Sequence, residues 1–343
     1  MRSRPRLAPK LAWTAALVFQ SLLFVCLTSP ARAQQPESAQ QPESKTAQGI
    51  QLYQQGDHYA AIKILQEVVK KNPDDIDAQY FLGLAYCDSG LTGAAREPLE
   101  RVIEARPRFG DAFGRLAFVL ILTNEPQRAT EMAQRAIDLG YQTAAVHYAI
   151  AEASLRTRSA SQGTDALLLA LSESEKALAI APNFTFALLT KSFAHLHLKQ
   201  YAEAAESLKR LIANTTDPAE AQTWREQLAY VETLNAEPET TNAAQPPLAL
   251  TGREVTQKAR VLSKPEPQYT DAARTAGVQG TVVIRAIFSS DGEVKNLHVQ
   301  DALPLGLTTN CMQAARQIKF TPATRDGRAV SMYIQLEYNF NLY

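Results

Sequence analysis

The sequence predicts a multidomain chain, an all-α superhelix of stacked helix pairs followed by a small α+β domain with a three-stranded antiparallel sheet. Three observations carry that expectation. Small and apolar residues recur with a 34-residue period through the middle of the chain. A proline-bearing polar stretch then ends the pattern. Beyond it the apolar spacing changes from that of a helix to the alternation of a strand.

The first element is a targeting segment. Arg2, Arg4, Arg6 and Lys10 precede an apolar run over 11–28, and Ala31-Arg32-Ala33 places small residues at the two positions that a signal peptidase reads. Residues 1–33 are therefore a signal peptide cleaved after Ala33 or, if retained, a membrane anchor of just sufficient length. Residues 34–44 hold a nearly exact duplication of QQPES, polar and aperiodic, and read as a flexible tether.

Residues 45–235 read as about five helix pairs and a capping helix. Gly49, Gly56, Ala61, Leu65, Val68 and Pro73 recur as Gly83, Gly90, Ala95, Leu99, Val102 and Pro107. A third copy keeps Ala117, Ala129 and Ala136, with Asn124 in place of the turn glycine. Small residues at these places let paired helices approach, and the glycine between helices accepts a left-handed turn. The fourth unit is lengthened near 156–163, and the fifth has Tyr201, Ala204 and Leu208 in register. Asp217-Pro218 then supplies an N-cap with proline in the first turn of a closing helix, whose Glu220, Arg225, Glu226 and Glu232 suit a cap.

This pattern resembles the tetratricopeptide repeat. In such arrays the first helix of each pair lines a concave face, which by register carries Tyr53, Tyr80, Leu84, Phe118, Ile121 and Phe193. These are either anchors for a protein or peptide partner or inter-repeat core. The charged residues of a carboxylate clamp are not found at those positions.

Residues 236–259 lose periodicity, collect Pro238, Pro246 and Pro247, and read as a linker. Residues 260–343 follow as a separate domain. Within it 280–288 is a strand, 289–292 a turn, 293–300 the returning strand and 309–320 a short helix. In the last strand Val330, Met332, Ile334, Leu336, Tyr338 and Phe340 share one face, and Ser331, Tyr333, Gln335, Glu337 and Asn339 the other.

Pro267-Gln268-Tyr269, Ala273-Arg274, Gly277, Gly280, Val282, Asp291-Gly292, Val294, the run Phe320-Thr321-Pro322-Ala323, Gly327, Val330 and Phe340 follow one another as in the C-terminal domain of the TonB family, which this region resembles. The resemblance implies a small α+β unit that receives a short N-terminal peptide of an outer-membrane transporter as an added strand. Carried over by position, the contacts are Gln268, Tyr269, Ser331, Tyr333, Gln335, Glu337 and Asn339. The sequence departs from the family in three places. The run over 11–28 has no histidine, the linker is too short to cross a periplasm, and Glu266 and Thr270 stand where glutamine and proline are common.

Composition excludes other classes. With 35 basic and 35 acidic side chains there is no global field for nucleic acid, and 3 cysteines cannot make a disulfide framework. Cys87 and Cys311 read as free buried thiols. His58, His147, His195, His197 and His298 lack metal-ligand spacing, and no nucleophile elbow, phosphate loop or dinucleotide fingerprint occurs. No enzyme activity, cofactor or metal is expected. The expected function is that of a cell-envelope adaptor, in the periplasm or anchored in the inner membrane and facing it. Its repeats bind one protein or peptide, and its C-terminal domain captures an extended segment of another, an outer-membrane transporter. Two alternatives stand beside it: an anchored energy transducer coupled to a proton-driven inner-membrane motor complex, and a scaffold that dimerises through the same edge strand.

Overall fold

The computed structural model describes residues 44–158, 163–236 and 249–342. The expected signal peptide over 1–33, nearly all of the tether over 34–44 and half of the linker lie outside the described residues. Among the described residues no helix is long and apolar enough to cross a membrane.

The repeats form antiparallel helix pairs. They are α1 (Lys45–Gln54) with α2 (His58–Lys71), α3 (Ile76–Asp88) with α4 (Arg96–Ala105), α5 (Gly110–Leu122) with α6 (Pro126–Asp138), α7 (Ala144–Thr157) with α8 (Gly163–Ile180), and α9 (Thr185–His197) with α10 (Tyr201–Asn214). The closing helix α11 (Pro218–Ala236) starts where Asp217 accepts the Glu220 amide at 2.7 Å. Recurrent small residues do the work expected of them. A Cβ on Gly49 would lie 2.6 Å from the Leu65 side chain, and one on Gly83 would lie 3.0 Å from Leu99. Both leucines are fully buried, each contributing about 1.5–3 kcal/mol. The left-handed turn passes from Gly56 and Gly90 to Asn124 at φ 62°, a residue whose side chain tolerates that conformation.

The C-terminal region opens with β1 (Arg260–Ser263) and α12 (Asp271–Ala276). Next come β2 (Gly280–Phe288), β3 (Val294–Asp301) and α13 (Leu307–Arg316), then β4 (Lys319–Thr321), β5 (Ala323–Arg325), β6 (Arg328–Val330) and β7 (Met332–Phe340). The main sheet is antiparallel in the order β3-β2-β7, with unbroken β2–β7 register from Gly280↔Phe340 to Phe288↔Met332. Its inner face, with Val282, Ile284, Leu336 and Tyr338, packs on Cys311, Met312 and Ala315 of α13. The helix is shorter than 309–320 suggests, because Lys319–Thr321 instead find ladder partners in β1. The short strands β1, β4, β5 and β6 were not expected from alternation, being too brief to show a period.

Array and sheet pack as one unit, around a core that runs from Leu122, Phe193 and Trp224 to Val282, Val299 and Leu336. The segment expected to be a linker is described from residue 249 onward. Helix α11 continues to Ala236, and the described part of the segment lies along the sheet domain, Leu250 bridging Met332 in parallel and Gln257 bridging Thr324. Backbone groups of β5 and β7 exchange hydrogen bonds with the segment in both directions, Leu250 and Gln257 each donating and accepting, which satisfies both sides.

Candidate functional site

Strand β7 is an edge, and its direction of pairing can be read from two bonds. The Leu250 amide donates to the Ser331 carbonyl and the Tyr333 amide to the Leu250 carbonyl, both at 2.9 Å. Ser331 and Tyr333 therefore turn their backbone groups away from β2. With a period of two, Gln335, Glu337 and Asn339 do the same. Leu250 fills the first position of this edge. Further along, Lys264 Nζ donates to the Glu337 carbonyl at 2.7 Å while lying 4.3 Å from the centre of the Tyr338 ring.

The side chains at the expected contact positions are placed as follows. The Tyr333 ring lies under the Arg285 guanidinium at 4.7 Å, the Gln335 amide donates to Glu337 Oε1 at 2.8 Å, and Asn339 Oδ1 accepts from Thr281 at 2.7 Å. Ser331 Oγ accepts from the Ser290 amide at 3.1 Å. Gln268 is exposed, and its carbonyl accepts from Asn310 Nδ2 at 2.7 Å. Tyr269 packs edge-on against Phe340 at 5.0 Å and donates to the Val278 carbonyl at 2.8 Å. Burial raises its phenol pKa against the effect of nearby Arg274. Tyr269 thus anchors the loop at the far end of β7, opposite the end that Leu250 covers.

The other sheet edge is closed at Val299. Gln227 of α11 lays its amide along β3, donating to the Val299 carbonyl at 3.0 Å and accepting the Val299 amide at 2.8 Å. One side chain thereby does for Val299 what a neighbouring strand would do. Around this contact, His298 stacks on Tyr230 with centroids 3.8 Å apart, Arg158 pairs with Asp301, and Arg316 pairs with Glu226. Burial lowers the His298 pKa to about 4. At the other end of the seam the Gln279 amide donates to the Leu122 carbonyl at 2.8 Å, and a Cβ on Gly93 would lie 3.3 Å from Gly277 Cα.

The concave face of the array divides in two. Leu84, Ile121 and Phe193 are buried, Phe193 edge-on to Trp224. Phe118 is half-buried against Tyr148 and Phe186. Ala302 and Pro304 of the loop after β3 line a small cavity together with Tyr148, Phe186 and Phe193, so the molecule covers this part of its own groove. Toward the N-terminus the face stays accessible and polar. Tyr53 donates to Asp88 at 2.7 Å, Tyr80 donates to Asp111, and Arg115 meets Asp111 at 3.2 Å and Asp88 at 3.5 Å. Burial, then the Asp88 carboxylate, push the Tyr53 phenol up to about 12.

Sequence reasoning missed Gln227, Arg285, Lys264 and Leu250. Gln227 left one signal, a lone amide on the otherwise apolar face of a closing helix. Lys264 lies only a few residues before the proline-tyrosine segment. Neither Arg285 nor Leu250 stands out from its neighbours.

Residues 265–342 match the family described as Gram-negative bacterial TonB protein C-terminal, and residues 46–108 match a tetratricopeptide repeat family. No curated protein matches the chain. Among solved structures it is similar to MamA, at 24% identity over 48% of this chain and 93% of that one, TM-score 0.37. It is also similar to PilW, a type IV pilus biogenesis factor, at 17% identity over 55% and 85%, TM-score 0.44. Pseudomonas aeruginosa pilF is similar at 15% identity over 56% and 84%, TM-score 0.41. The repeats, the three-stranded sheet and the two family matches lead to one conclusion: this chain joins tetratricopeptide protein-interaction repeats to a TonB C-terminal domain.

Proposed function

We propose that this chain is a cell-envelope adaptor of a Gram-negative bacterium whose TonB C-terminal domain captures an extended segment of a partner by strand addition at β7. The observation that supports this most is the row of outward backbone groups at Gln335, Glu337 and Asn339, on an edge whose counterpart on β3 is closed at Val299 by Gln227. Main-chain hydrogen bonds there supply affinity with little demand on sequence, and alternate side chains supply selectivity. The partner that the family suggests is the N-terminal segment of an outer-membrane transporter. The accessible face around Tyr53 and Tyr80 offers the repeats a second protein partner.

In this proposal residues 1–33 direct export and 34–44 are the tether. Residues 45–235 form the array, 236–259 the connection and 260–343 the capture domain. Both modules are non-catalytic, and transmission of contact or force through the seam takes the place of chemistry. Retention of the apolar run over 11–28 would make the chain an anchored transducer, which N-terminal sequencing of the mature protein decides.

Gln335→Pro tests strand capture. The Gln335 amide faces outward, so proline there removes an edge donor and leaves the β2–β7 ladder intact. Binding of a labelled extended peptide, read by fluorescence anisotropy, is expected to weaken at least about tenfold, the loss of one backbone bond together with the clash of the ring. Unchanged binding would overturn the proposal.

A further inference from the structure

At the seam between array and sheet we infer that a second site, separate from strand capture at β7, binds a small monocarboxylate. A cavity of about 210 Å³ lies there. Asn124 and Arg156 line it from the array, Thr281 and Val283 from β2, and Leu303 from the loop after β3. Arg158 and Asp301, with side chains 24% and 34% exposed, mark its mouth. Arg156 and Glu152, at 14% and 10%, form its floor.

The hydrogen bonds at the floor leave one cationic donor over. Arg156 Nε donates to Glu152 Oε1 at 2.8 Å, and Nη1 donates to the Ile121 carbonyl at 2.9 Å. Glu152 Oε2 accepts from the Thr190 hydroxyl at 2.5 Å, so both carboxylate oxygens are engaged. Arg156 Nη2, by contrast, is buried without a hydrogen-bond partner among the described residues. At the mouth Arg158 is already bonded to the Leu155 carbonyl and to Asp301. A buried donor is costly to leave unmet, and the strongest acceptor for a guanidinium N–H is an anionic oxygen.

The charge balance sets the class of anion. Arg156 and Arg158 offset Glu152 and Asp301, so one negative charge can meet the spare donor, whereas a second would be buried with no counter-charge. Two further titratable groups adjoin the network. Burial keeps the Tyr148 phenol un-ionised, and His197, 3.6 Å from Asp301, is charged only if protonated. The rest of the wall includes Leu155, Val283 and Leu303, which suits a short hydrocarbon body. At about 30 Å³ for each non-hydrogen atom, the share of one water in the liquid, the cavity holds roughly seven such atoms. Pentanoate is of that size.

The test is calorimetric titration of the purified full chain in mild detergent, at pH 8 and matched ionic strength, with pentanoate, its neutral twin pentanamide and inorganic phosphate. Pentanoate is expected to bind with a Kd of about 0.1–1 mM and to raise the thermal midpoint by about three degrees at tenfold excess over its Kd. Pentanamide should bind at least about tenfold more weakly, and phosphate, largely a dianion at this pH, should not displace pentanoate. Val283→Phe fills the cavity from a half-buried position and should abolish pentanoate binding, with the unliganded midpoint shifted by no more than about five degrees. Absence of both heat and a midpoint shift with pentanoate would overturn the inference and leave the cavity to water. Equal binding of pentanoate and pentanamide, displacement by phosphate, or undiminished binding in folded Val283→Phe would overturn it too.

Discussion

The two edges of the three-stranded sheet have met the same physical problem with opposite solutions. Strand β3 exposes Val299 to the array, where Gln227 satisfies both of its backbone groups from one side chain. Strand β7 ends in solvent, with one position taken by Leu250 and one carbonyl by Lys264, and the outward groups between them left open. An edge closed by a buried amide belongs to the architecture. An edge closed only by a short strap and an ammonium can be exchanged for another strand. In the proposed function β7 is the interaction surface, and the β3 edge joins the sheet domain to the array through Gln227.

Breaking the β3 edge at Val299 should have the largest effect. Gln227→Leu leaves the amide and carbonyl of Val299 without their partner, which at about 1–3 kcal/mol for each group predicts a loss of roughly 4 kcal/mol in urea unfolding. Rapid exchange of the Val299 amide should accompany it, and a protected amide would show that water or another group replaces Gln227.

The same edge carries a pH dependence. His298 titrates at about 4 in the fold because burial disfavours the imidazolium, with Arg285 adding repulsion, against 6.5 for an ordinary histidine. The unfolded chain therefore binds the proton first. Stability is complete above about pH 6.5 and falls as pH drops toward 4, by about 3 kcal/mol at 1.36 kcal/mol per pH unit. His298→Phe keeps the stack on Tyr230 and should flatten the profile over that interval, and an unchanged slope would locate the proton elsewhere.

At the open edge the expected effect is smallest. Leu250→Pro removes the amide that donates to Ser331, so the strap should release at a cost of about 1 kcal/mol or less. Hydrogen exchange at Tyr333 should accelerate severalfold while Val299 stays protected. Equal acceleration at both residues would mean that the two edges open together and that the contrast between them is lost.

Particular residues show how far the sequence could be read. Gly49, Ala61 and Leu65 with their copies, and the alternation from Met332 to Phe340, report the local face of each element and are enough for the helix pairs and the last strand, whereas the edge is expected only from the resemblance to the TonB family. Asn124 could be placed in a left-handed turn because it stands where a glycine stood in the earlier copies. The concave residues were legible as apolar but not as occupied. Phe118 meets Tyr148 and Phe186 and Phe193 meets Trp224, all of the array's own helices, and hydrophobicity is the same whether the cover is a partner or the same chain. The closing helix is legible as a cap from Asp217-Pro218 and its polar residues, but not the pairing of its Glu226 with Arg316 or the burial that raises the Glu220 pKa.

By itself the sequence determined the period, the turn positions, the strand alternation and the two families, because each is written in residues near one another or in a motif of fixed order. Only the tertiary structure decided that array and sheet share a core and that the β3 edge meets Gln227 at Val299 while β7 meets Leu250 and Lys264. Those outcomes depend on Gln227 meeting Val299, Leu122 meeting Gln279 and Gly93 meeting Gly277, pairs far apart in the chain. Periodicity states which side of an element must be buried. Shape and hydrogen-bond complementarity in three dimensions choose what buries it.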